Sequence, residues 1–164
     1  MADSNCGIMP EEGASYGIHI LPMPVIIDGE TYYEGVDISP DDFYSRQAVG
    51  SDITTSQPSP GEVTAMWDRL LLTYDEIVFI PMSSGLSGTC QTAFLLAGDE
   101  PYEGRVFVVD NHRISVTQAQ SALDALELAR QGRSGAEIKE ILERQARDAT
   151  IFIAVDTLEY LKKG

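Results

Sequence analysis

The sequence predicts an α/β fold in which a mostly parallel sheet is flanked by helices. Three observations predict it. Short apolar segments typical of buried strands lie at 76–82 (EIVFIPM), 105–110 (RVFVVD) and 150–155 (TIFIAV). Segments with helical spacing of apolar residues alternate with them, and the connections are short. The 164 residues suit one domain with its own core, and no linker separates two complete domains.

The amino-terminal part of the chain predicts a hairpin. Residues 18–27 are mostly apolar, but Pro22 and Pro24 interrupt them, so a bent or edge strand is expected there. The Asp-Gly pair at 28–29 is a turn signal, and the extended pattern resumes at 31–33 (TYY). The chain opens at residues 2–4 with a loop-like tripeptide, and we expect no strand before it.

Most helix starts follow one local pattern, in which a hydroxyl caps the first turn and proline or acidic residues follow. Ser59 with Glu62 three residues later has the spacing of a capping box, and Met66 and Trp67 then fall on the core side of the helix. The pattern and the apolar spacing predict helices at 39–47, from Ser59 to Leu71, from Ser87 or Gly88 to Ala97, at 116–131 and from Ser134 to Leu142.

Two hydroxyl-rich loops are the strongest functional signal. They lie at 54–61 (TTSQPSPG) and 83–89 (SSGLSGT), each beside a predicted helix start. Small hydroxyls, backbone N–H groups and the positive end of a helix together bind an anionic head group without a charged side chain. The second loop follows a predicted parallel strand, and ligands of such sheets bind beyond the carboxyl ends of the strands. We expect Thr55 and Ser56 to face the same crevice.

The composition argues against several kinds of partner. The chain has 26 acidic and 11 basic residues, with a formal net charge of −15. Nucleic-acid binding relies on Lys and Arg, and anionic membranes repel an acidic surface, so neither partner is expected. No apolar run approaches the roughly 18–20 residues of a membrane span, and residues 1–6 lack the features of a signal peptide. We expect a cytoplasmic protein without stable membrane insertion.

The residues that most often bind metals or carry out catalysis are sparse. Cys6 and Cys90 form no disulfide framework and are expected to be buried thiols. His19 and His112 have no companions at metal-ligand spacing, so no metal site is expected. The Asp-Asn-His segment at 110–112 follows a predicted strand near the crevice and is interpreted as a structural turn.

The chain resembles the amino-terminal domain of the DegV family, whose members include the fatty-acid-binding subunits of bacterial fatty acid kinase. The resemblance spans nearly the whole chain in the family's order, and the ordered set of motifs is highly specific. The matching segments are DS at 3–4, LPMPVIIDGETYYEG at 21–35, TSQPSPGE at 55–62, SSGLSGTCQTA at 83–93, VVDNHRIS at 108–115 and DTLEYLKKG at 156–164.

The resemblance implies a carrier of one long-chain fatty acid and no catalytic residue or cofactor in the chain. Family members hold the acid in a tunnel between two domains, and a separate kinase component phosphorylates the bound carboxylate. The second domain is absent from 1–164, which looks truncated at both ends, so a lone domain is expected to favour self-association. The implied carboxylate-binding residues are Thr55, Ser56, Ser87 and Gly88; Ser83, Ser84 and Gly85 line the pocket, and Asp3 and Ser4 form a first loop.

Two other classes of function stay open. A hydrolase would use Ser87 as nucleophile, but the spacing of SGLSGT differs from the Gly-x-Ser-x-Gly nucleophile elbow. A phosphate or nucleotide binder would use 83–89 as a glycine-serine loop, but the chain lacks both the Gly-Lys-Ser/Thr ending of a P-loop and the Gly-x-Gly-x-x-Gly fingerprint.

Overall fold

The computed structural model describes residues 1–152 and 154, which form a mixed α/β fold with helices flanking small sheets. Its strands are β1 (Ala2–Asp3), β2 (Ile20–Leu21), β3 (Pro24–Ile27), β4 (Glu30–Tyr33), β5 (Ile53–Thr55), β6 (Ile77–Phe79) and β7 (Val106–Val108). Its α-helices are α1 (Pro10–Tyr16), α2 (Pro40–Ala48), α3 (Pro60–Leu70), α4 (Thr89–Ala97), α5 (Ser115–Arg130) and α6 (Gly135–Arg144), with short 3₁₀ helices at Ser4–Cys6 and Gln145–Asp148.

The parallel strands form one layer in the order β2, β1, β6 and β7. β1 pairs with β2 and β6 pairs with β7, both in parallel. A parallel bridge between Ala2 and Ile80 joins the two pairs, and the Ile80 N–H donates to the Met1 carbonyl at 2.9 Å. Parallel sheets are normally covered on both faces, and this layer follows that rule. One core cluster lies on the side of α3 and α4, and a second lies on the side of α5 and α6.

A separate antiparallel sheet has the order β4, β3, β5. Its first two strands form the predicted hairpin, and the turn residues Asp28 and Gly29 have φ values of 52° and 87°. Two successive residues with positive φ are what a type I′ turn requires, and Asp-Gly supplies them at low cost. The sequence did not predict β5: Thr54 and Thr55, which we expected in a loop, pair with Ile26 and Val25.

Two expectations about the amino-terminal region were wrong, and one helix there was not predicted. The predicted strand at 18–27 is two strands in different sheets, because Pro22 lies between β2 and β3 and the chain changes partners there. Residues 2–3 form a strand rather than a loop, since β2 and Ile80 supply partners on both sides. Helix α1 was not predicted: Pro10 and two acidic residues begin it, but its N-cap is Met9, which has no hydroxyl to cap the first turn.

The other helices agree with their predicted positions. Ser39, Ser59 and Ser134 each cap a helix through the side-chain oxygen, and Gly88 is the N-cap of α4.

The predicted strand at 150–155 differs: residues 150–152 and 154 are not in a strand, whereas 153 and 155 lie outside the described residues. The segment at 158–164, whose sequence is typical of the start of a helix, also lies outside them.

Trp67 is at the centre of the core cluster that joins α3 to the parallel sheet. Its side chain is fully buried and makes edge-to-face contacts with Phe79 of β6 and with Tyr102. The prediction that Trp67 is a core residue is therefore confirmed.

Both cysteines are buried free thiols as expected, and burial raises the pKa of the Cys90 thiol to about 12.

The cap of α3 provides a test of local stability next to the first hydroxyl loop. Ser59 Oγ accepts the Glu62 N–H at 3.3 Å, and the Glu62 carboxylate accepts the Ser59 N–H at 2.7 Å. We expect Ser59→Ala to lower the free energy of unfolding by about 1 kcal/mol, because one N–H of the first turn loses its acceptor. Urea unfolding measures this loss. Ser45→Ala inside α2 is the matched control, and an equal loss there would contradict a capping role.

Candidate functional site

The two hydroxyl loops meet in the structure through the side chain of Gln57. Its Nε2 atom donates to Thr92 Oγ1 of α4 at 3.4 Å. Its Oε1 atom lies 2.5 Å from the position that a Cβ on Gly88 would occupy. The loop that follows β5 therefore contacts the start of α4, where the second loop ends. The spatial convergence of 54–61 with 83–89 that the sequence predicted is present.

Thr55 and Ser56 are both exposed at the end of β5. Their side chains lie on opposite faces of the hairpin sheet. Thr55 pairs with Val25, so it lies on the face of the sheet that carries Val25 and Ile27. Ser56 continues the ladder through its N–H, which donates to the Pro24 carbonyl at 3.4 Å. Its side chain lines a cavity of about 370 Å³ on the other face. The expectation that both hydroxyls face the same crevice is therefore wrong, because alternation along the strand separates them. Their roles in binding a carboxylate stay predictions.

The second loop is a compact turn that leads into α4. The Ser83 side chain is buried, and its Oγ accepts the Gly85 N–H at 3.2 Å. Ser87 is half-buried, and its Oγ lies 2.9 Å from Thr89 Oγ1 and accepts the Thr89 N–H at 3.2 Å. Gly88 then begins the helix as an exposed N-cap. Ser87 and Gly88 lie where the positive end of the α4 dipole favours an anion.

Ser84 and Gly85 differ from Ser83 in their surroundings. Ser84 is half-buried, and its N–H donates to Asp110 Oδ1 at 3.3 Å. Gly85 is exposed, and a Cβ there would make only ordinary contact with the Ser83 side chain. Pocket lining by these residues stays a prediction, and Ser83 already uses its Oγ to hold the turn.

Asp3 and Ser4 are completely buried by protein rather than open to solvent. Asp3 Oδ2 accepts the Met82 N–H at 2.8 Å, and its Oδ1 accepts from Gln118 Nε2 at 2.9 Å. Burial raises the pKa of the Asp3 carboxyl despite these bonds. Ser4 Oγ donates to Glu34 and accepts the Met23 N–H at 3.0 Å. Asp3 thus fixes the backbone directly before the second loop; contact of either residue with a ligand stays a prediction.

The segment at 110–112 forms the structural turn that the sequence predicted. Asp110 Oδ1 accepts the His112 N–H at 3.4 Å as well as the Ser84 N–H, and His112 has a φ of 56°. Partial burial acts to raise the pKa of Asp110, but the hydrogen bonds from Ser84 outweigh it and the pKa is lowered. The ionised Asp110 carboxylate therefore holds the second loop through the hydrogen bond that it accepts from the Ser84 N–H.

Several cavities border the parallel layer or the hairpin sheet in the part of the chain that the structure describes. The 370 Å³ cavity beside Ser56 also contacts Gln57 and Ile26. A cavity of about 270 Å³ lies between Ser4 and α2, with Met9, Ile38 and Phe43 among its apolar walls. A third, of about 230 Å³, is lined by residues such as Ile18 and Ile77 at the amino ends of the strands. The third lies at the opposite edge of the sheet from the hydroxyl loops.

The described residues contain no serine–histidine pair of the kind a hydrolase needs. Ser87 Oγ interacts with Thr89, as described above. His19 Nε2 lies 3.2 Å from the Tyr74 hydroxyl, and His112 Nδ1 lies 3.6 Å from Asp110 Oδ1. Within 1–152 and 154, no three His, Cys, Asp or Glu side chains are grouped closely enough to hold a metal ion. In the same part of the chain, none of the helices has the length and apolarity needed to cross a bilayer.

Sequence reasoning missed the long-range contacts that hold the site. In the sequence, Gln57 is one position of the TSQPSPGE segment, and no local pattern marks Gln118. The Gln118 side chain is fully buried on α5 and bridges Asp3 to the Ile80 carbonyl at 3.0 Å. A polar residue on the core side of a helix was the one signal available for it.

Fold and site together define an α/β domain with two hydroxyl-bearing loops at the carboxyl edge of a parallel sheet. The chain belongs to the DegV family: the family model described as "Uncharacterised protein, DegV family" matches residues 1–164. A DegV domain-containing protein of Deinococcus radiodurans is 35% identical over 163 residues, which are 99% of this chain and 57% of that relative.

Two solved structures resemble the fold closely. One is described as "Fatty Acid Binding of a DegV family Protein from Thermus thermophilus"; it is 33% identical with a TM-score of 0.86, and the match covers 99% of this chain and 58% of that one. The other is DegV of Bacillus subtilis, described as a fatty acid binding protein; it is 30% identical with a TM-score of 0.78, over 89% of this chain and 52% of that one. The chain thus spans little more than half the length of these relatives.

Proposed function

We propose that this chain is the amino-terminal, lipid-binding domain of a protein that carries one long-chain fatty acid. Thr55 and Ser87 donate hydrogen bonds to the carboxylate, and the backbone at Gly88 contributes the positive end of α4. The meeting of the two hydroxyl loops through Gln57 is the observation that carries the proposal. The description of the Thermus and Bacillus relatives as fatty acid binding supports it.

Physical chemistry is consistent with a neutral head-group site. A carboxylate buried in apolar surroundings costs several kcal/mol unless it is hydrogen-bonded. Charge-assisted hydrogen bonds contribute roughly 1.5–3 kcal/mol each, so two hydroxyls and one or two amides offset that cost. The tail adds roughly 0.8 kcal/mol for each buried methylene. The tail therefore supplies affinity, and the hydroxyl loops supply orientation and the choice of head group.

The proposal gives the protein no catalytic step. A fatty acid is already ionised near neutral pH, so the site needs no general base, and the chain presents the carboxylate to a separate kinase that forms the acyl phosphate. We place this presentation of the fatty acid to the kinase in the cytoplasm. The geometry does not support the hydrolase alternative, because Ser87 Oγ is hydrogen-bonded to the Thr89 hydroxyl rather than to a general base.

Native mass spectrometry of the full-length protein, purified from bacteria without detergent, tests the proposal. We expect a non-covalent adduct with the mass of a long-chain fatty acid, released on denaturation and identified by gas chromatography. A covalent acyl adduct on Ser87 would instead favour the hydrolase, and a nucleotide mass would favour the phosphate binder. Protein that neither retains nor takes up palmitate would contradict the carrier proposal.

A further inference from the structure

Gln57 is the side chain that connects the two hydroxyl loops, and its backbone is fixed on both sides. The Ser56 hydroxyl donates to the Gln57 carbonyl at 3.0 Å. Pro58 is buried, and a residue before proline is restricted to an extended backbone. The carboxamide therefore starts from a fixed point and reaches α4, where Nε2 donates to Thr92 Oγ1.

The same contact accounts for the glycine at position 88. Gly88 has φ −70° and ψ −11°, a conformation that any residue adopts, so its backbone does not require glycine. The limited space at this position does require glycine, because a Cβ would lie 2.5 Å from Gln57 Oε1 and 3.5 Å from its Cδ. Since the blocking atom is the far end of a flexible side chain, a larger residue at 88 would displace Gln57 rather than disrupt the helix.

We propose that Gln57 is a positioning residue that clamps the first hydroxyl loop onto the start of α4, and that Gly88 is glycine to admit it. This inference rests on the proposed function. The clamp sets the separation between Thr55, two residues before Gln57, and Ser87, next to Gly88. A carboxylate that binds both hydroxyls needs that separation fixed in advance, because ordering the loops on binding would reduce affinity. The neutral carboxamide does so without adding a charge beside the head group.

The test uses three variants of the full-length protein: Gln57→Ala, Gly88→Ala and the double variant. We expect each single change to weaken palmitate binding by about fivefold to tenfold, the effect of losing one modest polar contact. The double variant should bind as each single variant does, because all three lose the same contact. The melting temperature should stay close to that of the wild type, since Gln57 is exposed. Equilibrium binding of radiolabelled palmitate and thermal unfolding measure these quantities.

Matched controls lie away from the loops. Gln131→Ala removes an exposed glutamine whose side chain donates to Glu127 at the end of α5. Gly98→Ala adds a Cβ at the other end of α4, where it meets the Leu95 carbonyl at 3.4 Å. Both should leave the palmitate affinity unchanged. Multiplicative losses in the double variant, or affinity of Gln57→Ala within about twofold of the wild type, would overturn the clamp.

Hydrogen exchange tests the clamp without any ligand. In the lipid-free protein, Gln57→Ala should increase deuterium uptake in peptides covering 83–89, whereas Gln131→Ala should not. Unchanged uptake would overturn the clamp even if the wild type binds palmitate tightly. Conversely, if the wild type does not bind palmitate but Gln57→Ala still increases uptake in 83–89, the proposed function is refuted and the clamp is retained.

Discussion

Replacing Thr55 and Ser87 together by alanine is expected to weaken fatty acid binding by about 2–5 kcal/mol in the full-length protein. Each change removes one hydroxyl donor to an ionised carboxylate, and a charge-assisted bond contributes roughly 1.5–3 kcal/mol. Each tenfold loss of affinity corresponds to about 1.4 kcal/mol, so binding should fall by at least an order of magnitude. Isothermal titration with palmitate measures the loss.

The fold should survive both changes. Thr55 is exposed at the end of β5, and Ser87 is half-buried, so neither side chain contributes much to the core. Ser45→Ala with Thr73→Ala is the matched control, because it removes two exposed hydroxyls that lie away from both loops. Retention of palmitate by the Thr55 and Ser87 double variant at wild-type strength would remove both residues from the site.

Ser56 gives a sharper comparison within the same loop. It lies next to Thr55 but lines the cavity on the other face of the hairpin sheet. If Thr55 binds the head group, Ser56→Ala should reduce palmitate affinity less than Thr55→Ala does, because strand alternation directs the two hydroxyls apart. A larger loss for Ser56→Ala than for Thr55→Ala, measured by the same titration, would assign the head group to the other cavity.

Local sequence signals predicted most of the helices and the hairpin. Ser59 with Glu62, and Asp28 with Gly29, each encode a structure within four residues, and the structure has both. The division of 18–27 between two sheets depends on which distant strands offer partners, which is not encoded at Pro22 itself. Likewise, β5 exists because β3 presents an unpaired edge to Thr54.

The site could be located from sequence, but its geometry could not. The motifs and the rule for parallel sheets placed both hydroxyl loops at one edge. The buried contacts of Asp3 with Met82 and Gln118 join residues far apart in the chain, and no local pattern encodes them. The opposite orientation of Thr55 and Ser56 followed only when β5 proved to be a strand, since a loop imposes no alternation.

Trp67→Ala is expected to destabilise the protein by about 3–5 kcal/mol, the usual cost of removing a fully buried aromatic side chain. Trp67 on α3 packs with centroid distances of 6.1 Å to Phe79 and 5.2 Å to Tyr102. At roughly 2–4 °C per kcal/mol for a domain of this size, the melting temperature should fall by about 6–20 °C. Calorimetry measures the shift, and Leu72→Ala at a highly exposed position nearby should produce almost none.

Trp67→Phe should cost much less than its lost volume suggests. The Trp67 Nε1–H is buried without a hydrogen-bond partner among the described residues, and such a group costs roughly 1–3 kcal/mol. Phenylalanine removes that group while retaining an aromatic ring against Phe79 and Tyr102. Because α3 follows the first hydroxyl loop and β6 precedes the second, this ring packs between the elements that lead to the two loops. Palmitate affinity should therefore persist in Trp67→Phe. A loss of stability equal to that of Trp67→Ala would instead show that the indole N–H has a hydrogen-bond partner.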